Sequence, residues 1–206
     1  MSTEREAERV VDAAEQTLVL GTRNPHKVRE VARLLAPGGI DVEPLPPGIE
    51  LPPETGETFA ANALPKALTA ADATGRPAIA DDSGIEAEAL GGAPGVRSAR
   101  YAGPGADDES NLEKLVREAP AGSRLRYVCA LAYIDPLAAE EQVFFGYCEG
   151  TMAAERRGSG GFGYDPVFLP EQVPDGRTMA ELTDAEKDAI SHRGRAVRAF
   201  LHWLDQ

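Results

Sequence analysis

Two adjacent carboxylates, Asp81 and Asp82, come straight after a short apolar run, Ala78 to Ala80, and Ser83 and Gly84 follow them. The pattern reads as a strand that ends abruptly in a polar loop. Neighbouring carboxylates repel unless a shared proton or something positive relieves them. A hard divalent cation does this well, because Mg²⁺ takes oxygen ligands and usually combines one or two carboxylates with waters and substrate phosphates. A solvated Asp-Asp turn is the competing reading, since Asp and Ser are ordinary turn residues. In open α/β sheets ligands sit beyond the carboxyl ends of the strands, so a site is sought here.

The residues upstream set the fold class. Thr17-Leu-Val-Leu-Gly-Thr reads as a buried first strand, and Asn24-Pro25 as an N-cap followed by proline at the first helical position. Val28, Val31, Ala32 and Leu35 then trace one face of an amphipathic helix that stops at Pro37-Gly38-Gly39. The turn containing Thr22, Arg23 and Asn24 lies between strand and helix, where free backbone N–H groups make an anion seat. Lys27 in the first helical turn is disfavoured by the helix dipole, which points to an expected anion; a plain surface lysine is the alternative. The Gly-x-x-x-x-Gly-Lys-Ser/Thr pattern is absent, so this is not a Walker loop. A proline-rich stretch, Pro44 to Pro53, ends in Glu54-Thr-Gly-Glu and leads to a second helix with Phe59, Ala63, Ala67 and Ala70 inward. Pro65 should kink that helix or mark a later start.

Further on, Asp107-Asp-Glu-Ser opens a third helix with Leu112, Leu115, Val116 and Ala119 on one side. Arg124 to Ile134 and Gln142 to Glu149 read as a hairpin around Pro136. Cys129 and Cys148 fall at roughly facing positions in it, as small apolar core residues. Gly158-Ser-Gly-Gly-Phe-Gly-Tyr-Asp-Pro-Val-Phe is a glycine-rich loop running into a short strand. Its glycines let backbone approach a ligand, and Phe162 and Tyr164 offer faces for stacking a base or serve as core aromatics. Thr183-Asp-Ala-Glu186 is a capping box, Ser191 is placed to cap a separate helix, and Ile190, Val197, Leu201 and Leu204 give a stripe to the end. Early alternation followed by a late hairpin predicts a mixed sheet with helices packed on it.

One domain is the default for 206 residues, so 17–206 is taken as a single unit behind a charged arm at 1–16. A net charge of −13 argues against a broad grip on nucleic acid. Two cysteines make neither a disulfide scaffold nor a zinc site, which implies a reducing compartment. No apolar run reaches membrane-spanning length and the start is not a signal peptide, so a soluble, cytoplasmic protein is expected.

Taken in order, these segments resemble the inosine triphosphate pyrophosphatases, from about Leu18 to Leu204. The resemblance is carried by Gly-Thr-Arg-Asn-Pro-His-Lys at 21, Glu-Thr-Gly-Glu-Thr-Phe at 54, Ala-Asp-Asp-Ser-Gly at 80 and Leu-Gly-Gly-Ala-Pro-Gly-Val at 90. Gly-Gly-Phe-Gly-Tyr-Asp-Pro-Val-Phe at 160, Ala-Glu-Leu-Thr-Asp-Ala-Glu-Lys at 180 and Ile-Ser-His-Arg-Gly at 190 complete it. It implies an elongated, twisted mixed sheet with two lobes around a central substrate cleft, and a homodimer. It further implies Mg²⁺-dependent hydrolysis of ITP, dITP and XTP to the monophosphate and pyrophosphate, cleansing the nucleotide pool. Carried over position by position, Thr22, Arg23, Asn24, Pro25, His26 and Lys27 would bind the triphosphate. Asp82 would be the proton acceptor and a metal ligand, Glu54 would assist the metal, and Ser83 would contact substrate. Phe162, Gly163, Tyr164 and Asp165, with Lys187, His192 and Arg193, would hold the base and phosphates. Donors at His192 and Arg193 would favour a base with a carbonyl at C6 over adenine, which presents an amino group there. Two positions depart from the family pattern: Ala61 stands where a glutamate is usual, with Glu57 as the candidate substitute, and Pro65 is unusual although Lys66 keeps its place. A silent nucleotide sensor is disfavoured by the Asp81-Asp82 pair, a pyrimidine-nucleotide pyrophosphatase by the ordered motifs, and a serine hydrolase by the missing Gly-x-Ser-x-Gly elbow.

Overall fold

The computed structural model describes residues 16–206, so the arm expected over 1–16 lies, apart from Gln16, outside the described residues. Strand β1 (Gln16–Leu20) leads into α1 (Pro25–Leu35), which starts where Asn24 accepts hydrogen bonds from the backbone N–H groups of His26 and Lys27. Strand β2 (Ile40–Pro44), α2 (Phe59–Thr74), β3 (Ala78–Ala87) and α3 (Asp108–Glu118) follow. The hairpin β4 (Arg124–Asp135) and β5 (Glu140–Met152), the short β6 (Phe168–Pro170), and α4 (Asp184–Ile190) and α5 (His192–Leu204) complete the chain. Thr183 and Glu186 form the capping box of α4, and Ser191 caps α5 through Gly194 N–H.

The sheet has six strands in the order β2-β1-β3-β4-β5-β6. β1 runs parallel to β2 and β3, and the pairs from β3 to β6 are antiparallel, as expected for a mixed sheet. Side chains alternate across it. Leu18, Leu20, Ile79 and Leu131 meet α1 and α5 on one face, and Val19, Ala78, Ala80 and Ala130 meet α2 on the other. A further cluster around Ile85, Leu125, Tyr127, Phe168 and Met179 joins β3, β4 and β6 to Leu112 and Leu115 of α3.

Four local expectations are corrected. β3 does not end at Ala80 but runs ten residues through Asp81 and Asp82, because β4 pairs with it from Ala78↔Ile134 to Ala87↔Leu125 and apolar alternation resumes at Ile85. α2 neither restarts nor breaks at Pro65. Pro65 and Ala61 are both exposed, so water can satisfy the carbonyl that Pro65 leaves without an N–H. Val116 is 44% exposed, because Asn111 takes the inward position on α3 by donating to Ala99 O and accepting from Ala102 N–H. Cys129 pairs with Gly146 and Cys148 with Tyr127, a diagonal relation set by hairpin closure at Asp135↔Glu140; burial pushes both thiols up to about 12.

Gly146 fixes the height of α5 above the sheet. A Cβ there would lie 1.9 Å from His192 O and 2.6 Å from Ala196 N, so helix and strand touch backbone to backbone. Gly146→Ala is therefore expected to lift the start of α5 and cost about 1–3 kcal/mol, the range for overpacking. An unchanged midpoint in urea denaturation would contradict this contact.

Candidate active site

β1 pairs with β3 only at Val19↔Ala78 and Leu20↔Ile79, so β3 continues past the end of its neighbour. A cleft of about 270 Å³ opens at this fork, with Thr22, Asn24 and Lys27 on one side and Glu54 and Lys66 on another. The carbonyl of Asp81 accepts a hydrogen bond from Lys66 Nζ at 2.8 Å.

Because successive strand residues point to opposite faces, the two carboxylates are separated by the sheet. Asp81 is fully buried toward α1 and α5, where Lys27 Nζ and Arg193 Nη2 each lie 3.0 Å from its Oδ2. Burial alone would raise its pKa, but Lys27, Arg193 and Lys66 outweigh that and hold the carboxyl far below the usual range. Asp82 faces α2. Its Oδ2 accepts from Asn62 Nδ2 at 2.8 Å and its Oδ1 from Ser83 N–H at 3.0 Å. Burial and then the like charge of Glu54 push its pKa up. Glu54 is held by Lys66 Nζ at 2.6 Å and Arg100 Nη1 at 3.5 Å; Lys66, Lys27 and Arg100 overcome the effect of burial and lower its pKa.

A buried ion web backs the cleft. Lys187 Nζ sits 2.6 Å from Glu30 Oε1 and 2.7 Å from Asp165 Oδ2. Arg193 pairs with the other Glu30 oxygen and donates to Ser83 Oγ at 2.8 Å. Only 1% of Arg193 is exposed, which is tolerable because Glu30, Asp81 and Ser83 satisfy its guanidinium.

Most of the expected residues meet in this cleft. Thr22, Asn24, Lys27, Ser83, Phe162, Gly163, Lys187 and His192 line it beside Glu54 and Asp82. Pro25 only opens α1. Arg23 does not line the cleft: its guanidinium donates to the carbonyls of Leu45, Pro46 and Ile49 and ties down the proline-rich loop, whose prolines leave those acceptors in search of donors. His26 stacks on Phe162 with ring centroids 5.1 Å apart. Tyr164, Asp165 and Arg193 also line the cleft; Tyr164 is buried and its hydroxyl donates to Ser98 O at 2.7 Å. Asp165 has both oxygens occupied by protein, Oδ1 by Tyr127 OH and Oδ2 by Lys187 Nζ and Phe162 N–H. Ala61 and Glu57 are exposed and outside the cleft, so Glu57 does not replace a carboxylate there.

Glu30, Asn62, Arg100 and Tyr127 were missed as site residues. The signal for Asn62 was a polar side chain between inward-facing Phe59 and Ala63; that for Glu30 was an acid one turn after Lys27 on the helix that opens the anion seat.

His192 is buried, lies parallel to the Tyr127 ring and finds no partner for Nδ1 among the described residues. Burial, then Arg193 and Lys187, push its pKa well below 6.5. An unfolded chain binds the proton that the native ring refuses, so this contribution to stability is complete above about pH 6.5 and is lost as pH falls below it. Melting temperature should drop between pH 7 and 5, and His192→Gln should flatten the drop. An equally steep slope in the variant would refute the assignment.

Glu54 and Asp82 are hard oxygen donors of like charge, and burial first, then Glu54, push the Asp82 carboxyl up. Groups of three or more His, Cys, Asp or Glu suited to a metal do not occur among the described residues. A cation here would rest on these two carboxylates and on ligand oxygens, a donor set that fits Mg²⁺.

A mixed α/β sheet that forks around a cleft lined by lysines, two carboxylates and the half-buried ring of Phe162 defines a class of protein built to receive an anionic ligand. The chain belongs to the Ham1 family, whose sequence model matches residues 18–203. It is 49% identical over 198 residues to a Yersinia pseudotuberculosis protein named dITP/XTP pyrophosphatase, covering 92% of this chain and 98% of that one. A Symbiobacterium thermophilum protein of the same name is 47% identical over 194 residues, with 93% and 96% covered. Among solved structures, a HAM1 protein from Coxiella burnetii superposes with a TM-score of 0.79 at 40% identity, covering 92% of this chain and 98% of that one. A Mycobacterium abscessus structure described as a nucleoside-triphosphatase and dITP/XTP pyrophosphatase gives 0.69 at 41% identity, with 90% and 99% covered.

Proposed function

We propose that the protein hydrolyses dITP, XTP and ITP, with Mg²⁺, to the nucleoside monophosphate and pyrophosphate, and so clears these nucleotides from the cytoplasmic pool. The observation that carries this reading is geometric: Asp82 and Glu54 line one cleft together with Lys27, Lys66 and Lys187, and burial and Glu54 push the Asp82 carboxyl up. A base titrating nearer neutrality is better matched to taking a proton from water. Names of relatives across nearly the full chain support the substrate class.

In this reading, Lys27 and Lys66 neutralise the triphosphate, while the first N–H groups of α1 are taken by the Asn24 cap. Bound Mg²⁺, held by Glu54 and Asp82, would supply charge neutralisation at the phosphate oxygens. Asp82 takes a proton from the attacking water as its oxygen bonds to phosphorus. The bond from that phosphorus to the oxygen bridging the α and β phosphates breaks, and the electron pair leaves on the bridging oxygen. Phe162 offers its ring to the purine, and neutral His192 can donate one N–H to a carbonyl at C6. The homodimer implied by the resemblance belongs to the same proposal, and a monomer at micromolar concentration in sedimentation equilibrium would remove it.

The test is incubation with Mg²⁺ and ITP, XTP, dITP, GTP, ATP or CTP, with products identified. Pyrophosphate with a monophosphate, fastest from the first three, is the expected result. Orthophosphate with a diphosphate, or no preference, overturns the reading.

A further inference from the structure

We propose that Tyr127 is a specificity-determining positioning residue: from the central strand β4 it fixes the two groups that would face the purine, the His192 ring and the loop carrying Phe162. This rests on the nucleotide reading above. Its ring lies parallel to the imidazole, with centroids 4.6 Å apart and planes within 6°. Its buried hydroxyl donates to Asp165 Oδ1 at 3.0 Å. The other oxygen of Asp165 accepts from Phe162 N–H at 3.0 Å and from Lys187 Nζ at 2.7 Å.

The loop needs such an anchor. Gly161 and Gly163 flank Phe162 with φ of +68° and +61°, a backbone with little conformational preference of its own. β4 is the opposite case, paired along one edge to β3 and along the other to β5. Tyr127 therefore links a strand paired on both edges to the glycine-flanked loop that carries Phe162. Burial and the adjacent Asp165 push the phenol well above its usual value, so the hydroxyl stays a donor throughout the working range.

Tyr127→Phe keeps the stack and removes only the hydroxyl, leaving Asp165 Oδ1 without its donor. Tyr127→Leu removes the stack as well. Losing one hydrogen bond that orders the base-facing groups should reduce the ITP-to-ATP ratio of kcat/KM about tenfold in the Phe variant, through KM more than kcat. The Leu variant should fall further. The ratio of inosine monophosphate to adenosine monophosphate affinity, measured by calorimetry, should fall in parallel. A purely packing role would lower the melting temperature of both variants and leave both ratios unmoved, and that result overturns the proposal. The affinity ratio is read without turnover, so a wild type inactive on every triphosphate sinks the pyrophosphatase reading but still decides this one.

Discussion

Asp82→Asn is expected to lower turnover of XTP or dITP by about 10³-fold, within the range for loss of a general base, with no loss of fold. The carboxyl accepts from Asn62 Nδ2 through one oxygen and from the Ser83 amide through the other, and an amide of the same shape keeps one of these acceptors while its NH2 faces the second donor. Ionised Asp82 also lies close enough to Glu54 for repulsion to raise its pKa. Removing that charge relieves the pair and offsets the one acceptor lost, so the melting temperature should move by no more than about a few degrees. Steady-state kinetics and calorimetry on one preparation give both quantities. A variant with wild-type turnover would end the assignment of Asp82 as base.

Asp81→Asn, one residue earlier, should do the reverse. Asp81 neutralises Lys27 and Arg193 from a fully buried position. Removing one partner of a buried ion pair leaves uncompensated charge and costs about 3–5 kcal/mol. For a domain of this size that corresponds to a fall in melting temperature of the order of 10 °C. The depressed pKa of Asp81 contributes stability above its unfolded value near 3.8, lost as pH falls below it, so the gap between wild type and variant should narrow in acid. Equal melting temperatures at neutral pH would show that Asp81 is not the counter-charge described.

Local signals carried most of the fold. The Asn24-Pro25 start of α1, the Thr183–Glu186 capping box and the separate cap at Ser191 depend on residues within one turn of each other. β3 is the opposite case. Two acids inside a strand look like its end unless their counter-charges are known, and Arg193 lies 112 positions away. The Glu30–Lys187 pair spans 157 positions, so the acid beside Lys27 on α1 gives no sign of its distant partner. Arg23 was read by its neighbours in the motif, whereas the acceptors that occupy it sit in the 45–49 loop. The candidate site was legible as ordered motifs, but which side chains remain free to touch a ligand depends on pairings that only the tertiary fold makes.

Side chains along β3 obey a strict two-way alternation, and this gives its pairing with β4 an error check. A slip by one residue would turn Asp81 toward α2 and Asp82 toward Arg193. The cation would still meet a carboxylate, but Ile79 and Ile85 would have exchanged layers with Ala80 and Gly84, and neither core could close around them. The apolar neighbours, not the charges, therefore decide which of two chemically identical residues faces α2 and Asn62, where the proposed base belongs.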